Sequence, residues 1–501
     1  MMANRKEALG IWLSDLLVGL ALITFDRQVT GLSLDSRDVM AGDLFFAVSG
    51  ANSHGLNFAV DAFNKGAIAI VYDPLDTVGF CDKSIASEVL IEIPQLSEKM
   101  GAIAARFYGK PSSKYCVIGV TGTNGKTSCV QFLQQCLPYS SSIGTLGWGT
   151  GKSLAVTKNT TPDAVELQRI LAQLQGWGVR HVAMEVSSHG LQQKRVAGVS
   201  FDGVMITNIT RDHLDYHGCM DNYVAAKLAL LTVPEVRFAV VNFSGNFLEQ
   251  ILATIPENVR IWGVSFDGKK RGGVNVLDIS AVTCYEGGLC FDVEYQSDRQ
   301  GVTVPLYGEV NVENVAMVMA ALLALGYSLR EACVRVQKIQ PIAGRMELFK
   351  SKKALPAVVV DYAHTPDALE KLLVMVRQHC EGVIWLVFGC GGDRDVGKRS
   401  QMGVIAEQFS DHVIVTNDNP RSESEQKIVS DIVSLCDDSK IEVIYDRRRA
   451  IRTAIEKAKK GDCVVVAGKG HEEYQELKGE RIELSDRKII AALVASEERS
   501  C

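Results

Sequence analysis

The chain lacks the features that mark several classes of protein. It carries no excess of positive charge, because 53 Lys and Arg residues stand against 59 Asp and Glu residues, for a net charge of -6. We therefore expect no nucleic-acid partner. Residues 11–25 are apolar, but Ser14 and Asp15 interrupt them and no clear cleavage site follows. The segment is too short to span a bilayer, so we expect an amphipathic N-terminal helix, with no signal peptide and no membrane insertion.

The number and spacing of the cysteines indicate neither a metal site nor a disulfide framework. The 13 cysteines are an odd number scattered along the chain, and no pair has the C-x-x-C spacing of a metal site. Reduced thiols in a cytosol fit this pattern better than a disulfide framework, so we expect a cytoplasmic protein. The sequence shows no internal repeat and no low-complexity tract. Its 501 residues predict about three domains, at roughly 100–200 residues each.

The pattern of apolar segments divides the chain into three zones. Each zone alternates short Val- and Ile-rich runs with helical segments, which is typical of parallel sheets covered on both faces. We expect strands or helices at 44–48, 58–65, 67–72, 115–120, 126–137, 181–186, 203–208, 222–231, 238–242, 357–362, 366–380, 383–389, 412–416, 447–459 and 463–468. In such folds ligands bind at the carboxyl ends of the strands, and the motifs described below lie at those ends or in loops nearby.

Residues 115–128 read YCVIGVTGTNGKTS, an apolar strand followed by a glycine loop and the start of a helix. The glycines allow backbone N–H groups to surround phosphate oxygens at the helix N-terminus. Lys126 can reach the β- and γ-phosphates, and the Thr127 hydroxyl can bind Mg²⁺. Val120 stands where the usual phosphate loop has its first glycine, so this is a shortened variant. The alternative is an ordinary glycine-rich turn. The residues we expect to bind ATP are Gly122, Thr123, Asn124, Gly125, Lys126, Thr127 and Ser128.

Polar residues follow the next predicted strands. Glu185 ends a buried strand, where a carboxylate needs a partner such as Mg²⁺, unless it is exposed to solvent. His213 lies in the segment TNITRDHLDYHG at another strand end, although a lone histidine is usually structural. Lys227 lies on a largely apolar helix, where its charge must be removed, paired or extended to solvent.

These motifs, with GRME at 344–347, DYAHTPDAL at 361–369 and GKGHE at 468–472, occur in an order that closely resembles the Mur ligase family of cell-wall amino-acid ligases. The resemblance covers essentially the whole chain. It implies an α/β fold of three domains: a smaller mixed α/β domain at 1–110 for a uridine-diphosphate substrate, a central P-loop parallel-sheet ATPase domain at 111–343, and a Rossmann-like domain at 344–501 that binds an amino acid.

The resemblance also implies a reaction with ATP and Mg²⁺ as cofactors. The D-Glu carboxylate of UDP-MurNAc-L-Ala-D-Glu attacks the γ-phosphorus of ATP, and an amine then attacks the resulting acyl phosphate. The implied catalytic residues are Lys126, Glu185, His213 and Lys227. Metal ions are implied at Thr127 with Glu185 and near His213 with Lys227, and in the family the matching lysine is carbamylated. Asn311 and Asn314 match residues near the adenine, and Arg345 and Asp361 match residues that contact ATP from the third domain. The alternatives are a linker salt bridge for Arg345 and a strand-end cap for Asp361.

Further residues resemble the substrate contacts of the family, although a simple turn or cap role is open for each of them. Those of the uridine-diphosphate site are Leu34, Ser36, Ala51, Asn52 and Ser53. Those of the sugar and peptide site are Asn159, Thr160, Thr161, Ser187, Gln193 and Arg195. Those of the incoming amino acid are Arg394, Asp418, Asn419, Pro420, Arg421, Gly468 and Glu472. We expect a monomer.

The segment TNDNPRSE at 416–423 resembles the family members that select meso-diaminopimelate over lysine. Diaminopimelate has a distal carboxylate, which the planar fork of Arg421 can bind bidentately. Lysine would leave that arginine without a partner, and such rejection can reach ~10⁴-fold. The alternatives are a solvent-exposed Arg421, a lysine-adding or folylpolyglutamate-type ligase, and a nucleotide-binding protein without turnover.

Overall fold

The computed structural model describes residues 10–50, 53–75, 85, 87–151, 153–268, 272–285, 288–350, 355–437 and 440–499. The predicted contacts Ala51 and Asn52 lie outside these residues. None of the helices among them is long and apolar enough to cross a membrane. All the cysteines that the structure describes are free thiols.

The first zone contains a small parallel sheet in the order β3-β4-β5-β6, beside a two-stranded pair β1-β2. Its strands are β1 (Ile11–Trp12), β2 (Gln28–Val29), β3 (Gly31–Ser33), β4 (Asp43–Ala47), β5 (Ala69–Tyr72) and β6 (Leu90–Glu92), and its helices are α1 (Leu13–Leu16), α2 (Ala59–Asn64) and α3 (Leu96–Phe107).

The amphipathic helix expected over residues 11–25 is wrong. A strand and a single helical turn, α1, take its place. Ile11 and Trp12 pair with β2, and the backbone N–H and hydroxyl of Ser14 both donate to Asp26. Leu13, Leu16 and Leu17 are buried and pack against the small sheet, whereas Val18 and Leu22 are exposed.

The second zone is built on a large sheet whose strands, among the described residues, have the order β10-β9-β8-β11-β7-β12-β13-β14-β15-β16-β17. The strands are β7 (Cys116–Thr121), β8 (Ser140–Gly144), β9 (Gly147–Thr150), β10 (Ser153–Ala155), β11 (His181–Glu185), β12 (Gly203–Ile206), β13 (Phe238–Asn242), β14 (Arg260–Ser265), β15 (Asn275–Tyr285), β16 (Gly288–Tyr295) and β17 (Asp298–Val304). The helices are α4 (Lys126–Cys136), α5 (Ala164–Gly176), α6 (Ser188–Gln192), α7 (Leu214–His217), α8 (Met220–Leu228), α9 (Leu248–Thr254), α10 (Val310–Ala324) and α11 (Leu329–Val336).

The centre of this sheet is parallel and its margins are antiparallel. β7 lies between β11 and β12, and both pairs are parallel. Apolar side chains on the two faces form separate cores, which is why these strands read as continuous apolar runs. The antiparallel strands β16 and β17 were not predicted. Along both strands, buried residues alternate with more exposed ones. Neither strand therefore has the continuous run of apolar residues by which the other strands were predicted.

The third zone has a sheet in the order β18-β19-β23-β20-β21-β22, with only β18 antiparallel among these strands. Its strands and the following hairpin are β18 (Glu347–Phe349), β19 (Ala357–Asp361), β20 (Ile384–Phe388), β21 (His412–Val415), β22 (Ile441–Val443), β23 (Cys463–Ala467), β24 (Tyr474–Leu477) and β25 (Glu480–Glu483). The helices are α12 (Pro366–His379), α13 (Gly397–Phe409), α14 (Glu425–Val433), α15 (Arg447–Lys457) and α16 (Asp486–Arg499).

The three sheets confirm an α/β architecture built largely from parallel strands. The central sheet begins at β7 and the third at β18. The domain boundaries near residues 110 and 343 stay predictions.

Candidate active site

A single cleft of about 1870 Å³ joins the central and third sheets at the carboxyl ends of their strands. Parallel strands place these ends at one edge, where ligands of α/β proteins bind. The predicted residues that line it are Thr123, Asn124, Gly125, Lys126, Thr127, Ser128, Asn159, Thr160, Glu185, Ser187, Arg195, His213, Lys227, Asn311, Asn314, Arg345, Asp361, Arg394, Asp418, Asn419, Arg421, Gly468 and Glu472. Gly122, Thr161, Gln193 and Pro420 are not part of this lining, and neither are Leu34, Ser36 and Ser53.

The phosphate loop connects β7 to α4 and requires glycine at two positions. Gly122 has φ 151 and Gly125 has φ 85, values that favour glycine. A Cβ atom on Gly122 would lie 1.9 Å from Oγ1 of Thr207, and one on Gly125 would lie 2.4 Å from Oδ1 of Asn314. The loop is therefore packed against the neighbouring strand end and against α10.

Two lysine amines meet at this loop. Nζ of Lys126 donates to the carbonyls of Gly122 and Thr123, each at 2.8 Å. Nζ of Lys227 donates to the same Gly122 carbonyl at 2.7 Å and lies 4.5 Å from the centroid of the Tyr223 ring. Burial lowers the pKa of Lys126. Burial, and then the charge of Lys126, hold the pKa of Lys227 well below its usual range.

Glu185 lies where β11 ends beside β7, and only 1% of the residue is exposed. Its Oε2 accepts a hydrogen bond from Oγ1 of Thr127 at 3.0 Å, and its Oε1 accepts one from the backbone N–H of Thr145 at 2.8 Å. The solvent-exposed alternative for Glu185 is therefore wrong. The hydroxyl and carboxylate are oxygen donors of the kind that Mg²⁺ prefers, so this pair fits the ion. No three His, Cys, Asp or Glu side chains of the described residues are grouped as in an all-protein metal site.

His213 precedes α7 in a left-handed conformation, with φ 52. Its ring is 4.8 Å from the ring of His189, and its Nε2 is 3.4 Å from Oδ2 of Asp212. The rings of His213 and Tyr223 are 6.4 Å apart, and Tyr223 also contacts Lys227. His213 and Lys227 are thus placed around one tyrosine at the edge of the phosphate loop. In its ammonium form, Lys227 would have no lone pair to offer a metal.

The predicted adenine residues lie on α10 beside the phosphate loop. Nδ2 of Asn314 donates to Oδ1 of Asn311 at 3.2 Å, and Nδ2 of Asn311 donates to the Tyr307 carbonyl at 2.8 Å. Both residues are buried. The paired amides are therefore held in fixed orientations at the wall of the cleft.

Arg345 and Asp361 come from the third sheet and differ in what they do. Nη2 of Arg345 donates to Oγ1 of Thr127 at 3.3 Å, so this side chain reaches the phosphate loop. Its Nε is buried and has no hydrogen-bond partner among the described residues. Asp361 accepts the backbone N–H groups of Met346 at 2.7 Å and Ala363 at 2.8 Å, and burial raises the pKa of its carboxyl group. Asp361 thus caps its strand, the alternative role considered for it.

The predicted sugar and peptide residues form one hydrogen-bonded group. Oγ1 of Thr161 donates to the Glu185 carbonyl and accepts the N–H of Ser187, both at 3.0 Å. Arg195 donates to the Thr161 carbonyl at 2.8 Å and to Oε1 of Gln193 at 2.6 Å. Thr161 is buried and supports the group from behind, Gln193 is exposed, and Arg195 and Ser187 face the cleft. Asn159 and Thr160 lie on the same wall.

The predicted uridine-diphosphate residues lie in the first domain. The Ser36 carbonyl accepts a hydrogen bond from Nζ of Lys65 at 2.9 Å, and the Ser53 carbonyl accepts the Gly50 N–H at 2.9 Å. Asp35 lies between Leu34 and Ser36. The Arg37 guanidinium lowers the pKa of the Asp35 carboxyl group to about 2, and the charge of Lys158 adds to this effect. Lys158 precedes Asn159, so the first domain approaches the sugar and peptide wall.

The predicted amino-acid residues lie in three loops of the third sheet, which follow β20, β21 and β23. Nη1 of Arg421 donates to the Gly392 carbonyl at 2.7 Å, and its Nε is 3.5 Å from Oε2 of Glu476. The side chain of Arg421 is 22% exposed, and its backbone is left-handed, with φ 53. Arg394 is exposed at the cleft. The alternative of a solvent-exposed Arg421 is wrong, and so is the expectation that it lacks a carboxylate partner without diaminopimelate.

Known proteins resemble this chain over most of its length. Three family models match: the Mur ligase family, catalytic domain, over 28–108; the Mur ligase middle domain over 120–322; and the Mur ligase, glutamate ligase domain, over 344–470. The UDP-N-acetylmuramoyl-L-alanyl-D-glutamate--2,6-diaminopimelate ligase of Alkalilimnicola ehrlichii is 42% identical over 482 residues, which cover 94% of this chain and 96% of that protein. The chain belongs to the Mur ligase family. The protein of the same name from Xylella fastidiosa (strain 9a5c) is 44% identical over 481 residues, with 94% and 96% covered.

A solved structure shows the same likeness in three dimensions. A structure of UDP-N-acetylmuramoyl-L-alanyl-D-glutamate--2,6-diaminopimelate ligase matches this Mur ligase with a TM-score of 0.70 and 30% identity, and the match covers 98% of this chain and 100% of that one. The predicted family and fold class are thus confirmed.

In this Mur ligase the structure adds residues that the sequence did not single out. Lys469 is fully buried, and its Nζ donates to Oδ1 of Asn419 at 3.1 Å and to Oε2 of Glu472 at 2.7 Å. The N–H of Glu476 donates to the same Asn419 oxygen at 2.9 Å, and Nδ2 of Asn419 donates to Glu472 at 3.0 Å. Both ends of the Asn419 amide are therefore engaged, so this residue orients Glu472. The position of Lys469 inside GKGHE was the available signal.

Proposed function

We propose that this chain is an ATP-dependent amide-bond ligase that adds meso-2,6-diaminopimelate to UDP-MurNAc-L-Ala-D-Glu in cytoplasmic peptidoglycan precursor synthesis. The observation that carries this proposal is the cleft itself, which places the phosphate loop of the central sheet opposite the arginine loops of the third sheet. An enzyme that first phosphorylates a carboxylate and then joins it to an amine needs both ends in one cavity. Relatives at 42% and 44% identity bear the name of this activity.

In the first step, the D-Glu carboxylate attacks the γ-phosphorus of ATP and releases ADP. The loop N–H groups and Lys126 hold the phosphates, and Arg345 approaches from the third domain to stabilise the charge that spreads over the transferred phosphoryl group. The two carbonyls that now accept the Lys126 amine lie within the loop itself. On nucleotide binding, phosphate oxygens replace these carbonyls as acceptors.

In the second step, the amine of the incoming amino acid attacks the acyl phosphate, which forms the amide and releases phosphate. Glu472, held by Lys469 and Asn419, receives an ammonium group of the amino acid, while Arg394 and Arg421 receive its carboxylates. The chain thus orients a nucleophile and an activated carbonyl against each other, which removes much of the entropic barrier.

Thr127 and Glu185 would hold one Mg²⁺, which neutralises charge on the phosphate oxygens when it is bound. A second site near His213 and Lys227 requires a carbamate on the lysine, because a carbamate supplies oxygen ligands and removes the positive charge. The low pKa of Lys227 supports this modification, since only a neutral amine combines with carbon dioxide.

Selection of diaminopimelate over lysine depends on Arg421. Glu476 lies 3.5 Å from its guanidinium, so the distal carboxylate of diaminopimelate competes with a carboxylate of the protein. The preference for diaminopimelate over lysine then depends on the difference between two pairings of Arg421, one with the distal carboxylate and one with Glu476. We therefore expect a preference smaller than that of an arginine that has no other partner.

An assay with UDP-MurNAc-L-Ala-D-Glu, ATP, Mg²⁺ and either meso-diaminopimelate or L-lysine tests the proposal. We expect phosphate release that requires both the nucleotide and diaminopimelate, together with a product whose mass includes both. Phosphate release without an amino acid would indicate an ATPase, and activity with a folate substrate would favour the folylpolyglutamate-type alternative. Elution of the chain as a monomer in gel filtration is expected in the same preparation.

Arg421→Ala should raise the KM for diaminopimelate ~10- to 100-fold, the range for loss of one charged hydrogen bond, with smaller changes for ATP and the nucleotide. Arg449→Ala is a control, because Arg449 is an exposed arginine of the same sheet's helices and lies outside the cleft lining. Steady-state kinetics with each substrate varied in turn gives the three constants. An equal rise in all three would mean that Arg421 is structural.

A further inference from the structure

The two loops that present Arg394 and Arg421 are joined behind the cleft by one buried guanidinium. Arg399 lies in the first turn of α13, and none of its side chain is exposed. Its Nη1 donates to Oε2 of Glu423 at 2.9 Å and to Oδ2 of Asp431 at 2.8 Å. Its Nη2 donates to Oε1 of Glu423 at 2.8 Å and to the Gly391 carbonyl at 3.2 Å.

Further bonds tie the same two loops side by side. The Asp393 N–H donates to Oε1 of Glu423 at 2.5 Å. In return, the Asp393 carboxylate accepts the N–H of Ser422 at 3.2 Å and its hydroxyl at 2.7 Å. The Gly392 N–H donates to the Asn419 carbonyl at 2.9 Å. Each loop is therefore fixed by the other, and Glu423 is the carboxylate on which these bonds converge.

We propose that Arg399 and Glu423 are positioning residues for selection of the amino acid. They hold the loops 391–394 and 419–423 in the one arrangement in which Arg394 and Arg421 face the cleft together. This inference rests on the proposed function, and neither residue touches a substrate. It assigns a role to a buried arginine fork that lies behind the cleft lining.

The Arg399–Glu423 pair depends on both the charge and the shape of its two side chains. The Arg399 guanidinium lowers the pKa of the Glu423 carboxyl group to about 2, so the pair is ionised at neutral pH. A lysine amine has the charge but no planar fork, and it cannot make two parallel bonds to Glu423 while also reaching Asp431 and Gly391. A glutamine at 423 keeps the shape and loses the charge.

The test compares Glu423→Gln and Arg399→Lys with the wild-type enzyme in the ligation assay. We expect the KM for diaminopimelate to rise ~10- to 100-fold, the range for loss of a supporting contact or a displacement of about 1 Å. The KM values for ATP and the nucleotide should stay within about twofold, and the preference for diaminopimelate over lysine should fall. Asp393→Asn weakens the exposed bonds between Asp393 and Ser422 and removes no buried charge. It should therefore raise the KM for diaminopimelate by a smaller factor.

Arg377→Lys is the matched control. Arg377 pairs with Asp411, and Asp411 accepts the N–H of Ile384 at the amino end of β20, on the opposite edge of the sheet from the cleft. This variant should leave the preference for diaminopimelate unchanged.

Several outcomes separate the inference from the function on which it rests. If the wild-type chain forms no product with diaminopimelate, the proposed function is wrong. If wild type is active and all the variants keep its KM for diaminopimelate, or lose affinity for every substrate alike, the positioning role is wrong. Should Arg399→Lys unfold, Glu423→Gln and Asp393→Asn still decide the question.

Discussion

Lys126 and Lys227 both donate to the carbonyl of Gly122, a close approach of two amines in a largely buried site. Burial lowers the pKa of each amine, and the charge of Lys126 lowers the pKa of Lys227 further. The arrangement is costly while both are cationic. In the proposed mechanism this cost is relieved, because phosphate oxygens accept hydrogen bonds from Lys126 and a carbamate removes the charge of Lys227.

Lys227→Ala should abolish ligation while leaving ATP binding, because the phosphate loop keeps Lys126 and its N–H groups. Added short-chain carboxylates should restore part of the activity by occupying the place of the carbamate oxygens. Turnover with and without acetate or propionate, alongside equilibrium binding of ATP, measures both effects. Lys194→Ala, an exposed lysine in the same domain, should behave as wild type. Normal turnover of Lys227→Ala would contradict the carbamate.

The element that organises the site is the unit of β7, the phosphate loop and α4. The loop turns sharply at two glycines with positive φ, and α4 begins directly with Lys126. Its first N–H groups and the dipole of the helix then point into the cleft. Val120 in place of the usual first glycine is fully buried, so the shortened loop starts from a residue of the sheet core.

Gly125→Ala should weaken ATP binding more than tenfold, because the new Cβ would need a left-handed backbone and would lie 2.4 Å from Asn314. The strain of a positive φ costs about 1 kcal/mol and the displacement of the loop adds to it. Gly178→Ala is the matched control, since Gly178 has φ +74 and no atom within 4 Å of the added carbon. Isothermal titration with a non-hydrolysable ATP analogue measures the difference. Equal affinity in both variants would show that the loop accepts a side chain.

At the scale of the whole molecule, the site exists only where domains meet. Arg345 reaches Thr127 across the cleft, and Nδ2 of Asn124 donates to Oδ2 of Asp367 on α12 at 3.3 Å. The phosphate loop and the third sheet thus share direct contacts. A catalytic group delivered by another domain couples the chemistry to the relative position of the two.

Arg345→Ala should lower kcat ~10²- to 10³-fold, the usual loss when one donor to a developing charge is removed. Binding of UDP-MurNAc-L-Ala-D-Glu should be little changed, because its predicted contacts lie on the first and central domains. Arg449→Ala, an exposed arginine of the third domain, serves as the control. If the affinity for UDP-MurNAc-L-Ala-D-Glu fell as much as kcat, Arg345 would only hold the domains together.

Local patterns carried much of the prediction. The apolar runs of the buried parallel strands, the Gly-Lys-Thr triplet and the order of the motifs are readable along the chain, and the fold class and family they indicated are confirmed. The N-terminal helix failed, because burial of Leu13, Leu16 and Leu17 does not require helical backbone. The antiparallel β16 and β17 were missed, because a half-exposed strand has no continuous apolar signal.

The sequence by itself determined the identity of the phosphate loop and the kinds of side chain available around it, since these depend on residues that are adjacent in the chain. Only the tertiary structure decided which of them meet. Thr127 and Glu185 are 58 residues apart and Thr127 and Arg345 are 218 apart, and no local pattern encodes such pairs. The same holds for Asp361, which caps a strand, for Asn419, whose amide is used up by its neighbours, and for Arg399. Their roles follow from packing and from the need of every buried polar group for a partner.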